Sequence, residues 1–207
     1  MIKFHYIHNK KQYSEELAKL LNSQWPRSEY SRMVSIEKSS DQLPLFIIMI
    51  KSDEITDENN NIVNTDELVG CLSISQVLNI DKNSKPTVLI ENVLVKPIYR
   101  GKGYGKMIMN EAHSIIKEKQ YCVSYLSTHD KKEFYKTFGY EECEPLITSN
   151  FSSNSSGAQN SSSGDNYNND IEDDSEKVSN LLRIFGGGNS NKIKKEEKIY
   201  WMKLNLA

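Results

Sequence analysis

Apolar positions divide the chain into short strands separated by a few helices. Residues 2–7 read as a first strand. Tyr13, Leu17, Leu20 and Leu21 then recur at helical spacing behind Ser14, a candidate N-cap, and Pro26 closes that helix. A second helix is expected over residues 27–39, on a looser pattern of Tyr30, Met33, Val34 and Ile36. The unbroken apolar run 45–50 has the length of a buried strand. Residues 53–64 are polar around Asn59-Asn60-Asn61 and predict a hairpin loop. The chain returns over 68–74, with Leu68, Leu72 and Ile74 on one face, and turns again over 77–85.

The second half begins with a strand over 87–95. Simple alternation puts Val88, Ile90, Asn92 and Leu94 on one face and Leu89, Glu91, Val93 and Val95 on the other. Both faces are apolar, with Glu91 as the one charge among them, as in a strand buried on both sides. Residues 103–119 form the clearest helix, with Ile108, Ala112, Ile115 and Ile116 opposite Lys106, Asn110, Lys117 and Glu118. A strand over 122–126, a helix over 130–138 ended by Gly139, and strands over 140–147 and 199–206 complete the pattern.

Between those last two strands the composition changes. Residues 148–169 are mostly Ser, Asn and Gly, 170–176 are acidic, 178–185 hold a brief apolar turn, and 186–190 are Gly-rich again. Such a stretch does not bury enough surface to offset the entropy of ordering. We expect a disordered insertion over 148–195 inside a hairpin of one domain formed by 1–147 and 196–207.

Composition narrows the functional classes. The 207 residues carry a net charge of −2, so no global field favours nucleic acid or a membrane surface. Residues 1–11 lack the apolar core of a secretory signal, and no apolar run is long enough to span a bilayer. Cys71, Cys122 and Cys143 are odd in number and widely spaced, which suits reduced packing thiols rather than a metal site. The expectation is a cytoplasmic monomer without a metal.

One stretch carries chemistry. Arg100-Gly101-Lys102-Gly103-Tyr104-Gly105 lies between a strand and the N-terminus of an amphipathic helix. Unpartnered amides and the helix dipole make that junction an anion site, and glycine lets a phosphate approach the backbone. The spacing G-x-G-x-G fits neither a Walker A loop nor the G-x-G-x-x-G dinucleotide fingerprint.

These residues resemble the acetyl-CoA pyrophosphate loop of the GNAT acetyltransferase superfamily. Phe134-Tyr135-Lys136-Thr137-Phe138-Gly139-Tyr140 resembles the same family's F-Y-x-x-x-G-[FY] ending. Two further stretches, Asn22-Ser23-Gln24-Trp25-Pro26-Arg27-Ser28 with Arg32 and Leu126-Ser127-Thr128-His129-Asp130, resemble the actin N-terminal acetyltransferases. The resemblance covers residues 1–147 and the last strand. It implies an α/β (α+β) fold with a central, mixed, twisted seven-stranded sheet flanked by about four helices. It also implies acetyl-CoA as co-substrate and an acidic protein N-terminus, that of actin, as acceptor. Animal members carry a proline-rich stretch that engages profilin; residues 148–195 contain no proline, so a profilin-dependent capture does not carry over.

The resemblance also implies roles. Val93, Leu94 and Val95 would run beside the pantetheine arm, and Arg100, Gly101, Lys102, Gly103, Tyr104, Gly105 and Lys106 would hold the pyrophosphate, with Thr128 and Tyr135 also binding the cofactor. Tyr135 would protonate the departing thiolate. Glu91 or His129 would take the proton of the acceptor amine; otherwise Glu91 is a paired structural carboxylate and His129 a capping residue. Trp25, Arg27, Ser28, Arg32, Glu91, Asn92 and His129 would form the acceptor site, with the two arginines meeting acidic side chains. The competing readings are that these arginines are solvated helix charges and that Trp25 anchors its helix. Two other functions stay open: acetylation of a small amine or lysine side chain, and a non-catalytic acetyl-CoA-binding scaffold.

Overall fold

A computed structural model describes residues 1–56, 62–77, 85–146 and 198–206 of the protein. The expected insertion, the tip of the first hairpin loop and most of the 77–85 turn lie outside the described residues. All described elements fall in one unit made from residues 1–148 and 193–207.

The elements follow the order β1 (Ile2–Tyr6), α1 (Ser14–Gln24), α2 (Glu29–Glu37), β2 (Leu45–Thr56), β3 (Ile62–Val77), β4 (Thr87–Val95), α3 (Tyr104–Glu118), β5 (Val123–Thr128), α4 (Lys132–Lys136), β6 (Glu141–Cys143) and β7 (Tyr200–Asn205). The seven strands form one sheet in the order β1-β2-β3-β4-β5-β7-β6. Every neighbouring pair is antiparallel except β4 and β5, which run parallel, so the sheet is mixed as expected.

Apolar layers pack on both faces of the sheet. On one face, Leu17, Ala18, Leu20 and Leu21 of α1 and Ile36 of α2 meet Phe46, Ile48, Ile50, Leu68, Cys71 and Leu94. On the other, Ile108, Met109, Ala112, Ile115 and Ile116 of α3 pack with Tyr135 and Tyr140 over Ile47, Met49, Leu72, Val88 and Ile90. Each fully buried Leu, Ile, Val or Met among them contributes about 1.5–3 kcal/mol. Glu15 and Glu16 suit the positive end of α1, and Ser28 caps α2 by accepting from the Ser31 amide at 3.2 Å. Ser14 is the first helical residue of α1 rather than its cap; Tyr13 holds the cap position.

Two irregularities revise the faces expected from alternation. Met49 pairs with Gly70 and Ile50 with Leu68, so Val69 is an extra residue in β3. The phase reverses there: Leu72 and Ile74 face α3, whereas Leu68 faces α1. In β4, Leu94 pairs with Cys71 and Glu91 with Ser73, leaving Asn92 and Val93 opposite Leu72 alone. Asn92 adopts φ +56°, the left-handed region that Asn tolerates better than most side chains. Beyond this bulge Leu94 faces α1 and Val93 and Val95 face α3, so Leu94 does not share a face with Val88 and Ile90.

Strands β2 and β3 extend well into the stretch expected to be loop, through pairs such as Lys51–Glu67 and Asp53–Thr65. Ladder hydrogen bonds are made by the backbone and do not require apolar side chains. Conversely, α4 and β6 are shorter than their expected segments.

Candidate active site

Strands β4 and β5 pair only from Thr87–Val123 to Leu89–Tyr125. Beyond Leu89 the two parallel strands have no ladder between them, and a rift opens in the middle of the sheet. Lys96 donates its amide to the Val69 carbonyl at 2.9 Å, on the β3 side. The amides of Val93 and Val95 alternate with it and therefore face the rift. The Val95 carbonyl there accepts from Arg100 Nε at 3.0 Å, which ties the following loop to the strand.

That loop begins with the 3₁₀ turn Pro97–Tyr99 and ends at the N-terminus of α3. Tyr99 donates its hydroxyl to Glu67, and Lys96 pairs with Glu67 at 3.1 Å and Glu16 at 2.9 Å, so the turn is braced against β3 and α1. Gly101 and Gly103 have φ +76° and +84°, a conformation costly for other residues. A Cβ at either position would meet no atom within 4 Å, so open space lies before the loop. Gly103 caps α3 without a side chain, which leaves the amides of the first turn without a side-chain partner. Lys102 is exposed on the loop and Lys106 in that first turn. Gly105 differs: Phe134 lies 3.3 Å from where its Cβ would stand, so its small size lets α4 dock on α3.

On the α1–α2 face of β4, Glu91 is half-buried and accepts from the Ser75 hydroxyl at 2.9 Å. Burial pushes its carboxyl above the usual range, against the Ser75 hydrogen bond and the positive charge of Arg27. Asn92 donates to Ser73 Oγ at 2.8 Å, and Ser73 in turn to the Glu91 carbonyl at 3.4 Å, so the bulge is held by side chains from β3. Neither serine was singled out from the sequence, although both are polar positions alternating with Leu72 and Ile74 in a buried strand.

The turn between α1 and α2 carries Trp25, Arg27 and Ser28, all exposed. Asn22 holds Arg27 by its backbone, accepting from its amide at 3.3 Å and donating to its carbonyl at 3.2 Å. Arg32 requires a correction. It is 3% exposed, and its guanidinium donates to Asn22 Oδ1 at 3.0 Å and to the Trp25 carbonyl at 2.5 Å. It is a brace under the turn, not a cation presented to an acceptor. Ser28 likewise serves as the cap of α2.

Tyr135 is 7% exposed on α4, edge-on to Phe134 and Tyr140. Burial pushes its phenol up to about 12, so it stays protonated at neutral pH. Among the described residues its hydroxyl has no hydrogen-bond partner. Thr128 Oγ1 accepts from the Lys131 amide at 3.1 Å and shapes the turn into α4. His129 is exposed beyond the end of β5, and no hydrogen bond joins it to Glu91 among the described residues.

The geometry fits acetyl-CoA. The open Gly101–Gly103 cradle suits a pyrophosphate, and the rift-facing amides of Val93 and Val95 suit an amide-bearing arm added like a strand. Comparisons with known proteins agree. The model of the acetyltransferase (GNAT) domain matches residues 55–142. N-alpha-acetyltransferase 80 of Mus musculus is 34% identical over 129 residues, which are 62% of this chain and 38% of that protein. The match therefore spans well under half of that relative. A GNAT-family acetyltransferase from Staphylococcus aureus Mu50 superposes over 100% of both chains with TM-score 0.55 at 17% identity. NAA60 of Arabidopsis thaliana, solved in complex with acetyl-CoA, superposes over 70% of this chain and 86% of its own with TM-score 0.53 at 18% identity. Residues 55–142, which hold both strands of the rift and the glycine cradle, thus match an acetyltransferase (GNAT) domain.

Proposed function

We propose that the chain moves acetyl from acetyl-CoA to the α-amino group of an acidic protein N-terminus, with actin as the acceptor. The observation that carries this reading is the placement of Arg27. Its backbone is held by Asn22, its side chain is exposed, and its charge acts on Glu91 beside the rift. A cation on the acceptor side of the candidate base suits an acceptor with a carboxylate close to its reacting amine. The 34% identity to N-alpha-acetyltransferase 80 supports an α-amine rather than a lysine side chain as the nucleophile.

Acetyl-CoA, when bound, supplies an activated acetyl thioester. The residues of this chain supply the rest. The Val93 and Val95 amides orient the arm, and the cradle with Lys102 and Lys106 holds the phosphates. Glu91 accepts the proton released by the amine; its raised carboxyl brings it nearer to an α-ammonium of pKa about 8. Tyr135, protonated at neutral pH, donates to the leaving sulfur.

The test is acetyl transfer to peptides beginning with Asp or Glu, against Met-, Ser- and lysine-containing controls. Selective turnover of the acidic peptides is expected. Arg27→Ala should lower their kcat/KM by about tenfold, as for loss of one partly desolvated charge pair, with little change on neutral peptides. Preferred turnover of the lysine peptide would overturn the assignment.

A further inference from the structure

The sheet face that carries Glu91 is only half covered. The apolar cluster under α1 and α2 draws on β2, β3 and Leu94, and takes in no described residue of β5 or β7. Thr87 and Leu89 share this face with Glu91, because the bulge lies beyond all three. The register carries the face across the sheet, from Thr87 to Val123 to Asn205 and from Leu89 to Tyr125 to Lys203.

At its far end lies a hollow of about 250 Å³ lined by Lys85, Thr87, Val123, Tyr125, Lys203 and Asn205. Lys203 Nζ stands 5.8 Å from the Tyr125 ring centroid. Glu141 is its cross-strand neighbour in β6, yet among the described residues no carboxylate lies within ion-pair distance of Lys203 or Lys85. The hollow thus presents two ammonium groups, an aromatic wall and two neutral hydrogen-bonding side chains.

We propose that this hollow is a second acceptor subsite, taking an acidic side chain of the same peptide whose amine lies at Glu91. The proposal rests on the acceptor assignment above. Thr87 is four residues from Glu91, about 13 Å along an extended strand, so an extended acceptor reaches the hollow with its fourth or fifth residue. Arg27 meets the beginning of the acidic stretch, and Lys203 and Lys85 meet its continuation. Recognition therefore extends beyond the first residues of the N-terminus.

Two octapeptides with the same three acidic leading residues, one carrying Glu and the other Gln at positions 4 and 5, test this. Wild type should favour the Glu peptide by about fivefold in kcat/KM, the effect of a partly exposed charge pair. Lys203→Glu should bring the ratio to one or invert it, and Lys85→Glu should shift it the same way. Lys203→Met serves if the Glu variant has a lowered thermal midpoint. A wild-type ratio of one, or a preference that persists in both lysine variants, overturns the subsite while leaving N-terminal acetylation intact. No turnover of either peptide overturns the acceptor assignment itself, and the subsite with it.

Discussion

Glu91 and Arg27 form an opposed pair: burial raises the Glu91 carboxyl, and Arg27 pulls it down. The consequence is visible in a pH profile. A base works only when deprotonated, so kcat/KM should climb as pH rises through the Glu91 transition, above the ordinary carboxylate range of about 4.3. Glu91→Gln should remove that limb and lower kcat by about 10²–10³-fold, as expected for loss of a general base. Arg27→Ala should move the limb to higher pH, because the opposing charge is gone. An unchanged limb in Glu91→Gln would transfer the role to another group, with His129 next in line. At this scale Arg32 also shows what spacing does not reveal. A helix position says which residues are neighbours along the surface, whereas the burial of Arg32 depends on Asn22 and Trp25 folding back over it.

Among the elements, the loop from β4 into α3 depends most on backbone shape. Gly103→Ala would place a side chain at φ +84° in open space, so the cost is conformational, about 1–2 kcal/mol, and not a clash. A lowered thermal midpoint together with a raised KM for acetyl-CoA is the expected result; a stability loss with unchanged KM would separate the glycine from the ligand. This loop, β4 and the stripe of α3 were legible in the sequence because their signals are local: a glycine spacing, an apolar run and a 3.6-residue period. The two bulges were not. An extra residue at Val69 or at Asn92–Val93 is defined by the partner strand, so no pattern within one strand reveals it. Both misassigned faces, that of Leu68 and that of Leu94, lie just past such a phase reversal. The rift is likewise a relation between β4 and β5, so no pattern within either strand reveals it.

Over the whole molecule, a buried polar chain fastens the α3 layer to the sheet beyond the rift. Ser124 of β5 and Tyr140 bond at 2.8 Å, and His113 of α3 reaches the same hydroxyl at 3.1 Å. Burial, with Lys117 nearby, pushes the His113 imidazole down to about 4 from 6.5. The folded state then binds fewer protons than the unfolded state between those values, so stability is full above pH 6.5 and falls as pH drops toward 4. The loss should be roughly 2 kcal/mol once partial solvent access is allowed for. Denaturant midpoints measured across that range should show it, and His113→Phe should flatten the slope.

The rift has a consequence for the protein's life between turnovers. Only three residue pairs join the β1–β4 half of the sheet to the β5–β7–β6 half, and the amides left open between them are ready-made partners for a bound arm. Whatever fills that gap acts as mortar as well as reactant. A ligand at a hundred times its dissociation constant adds about 2.7 kcal/mol to the folded state. The abundance of such a protein in a cell would then follow the supply of its own donor, with lean periods thinning the population as well as idling it.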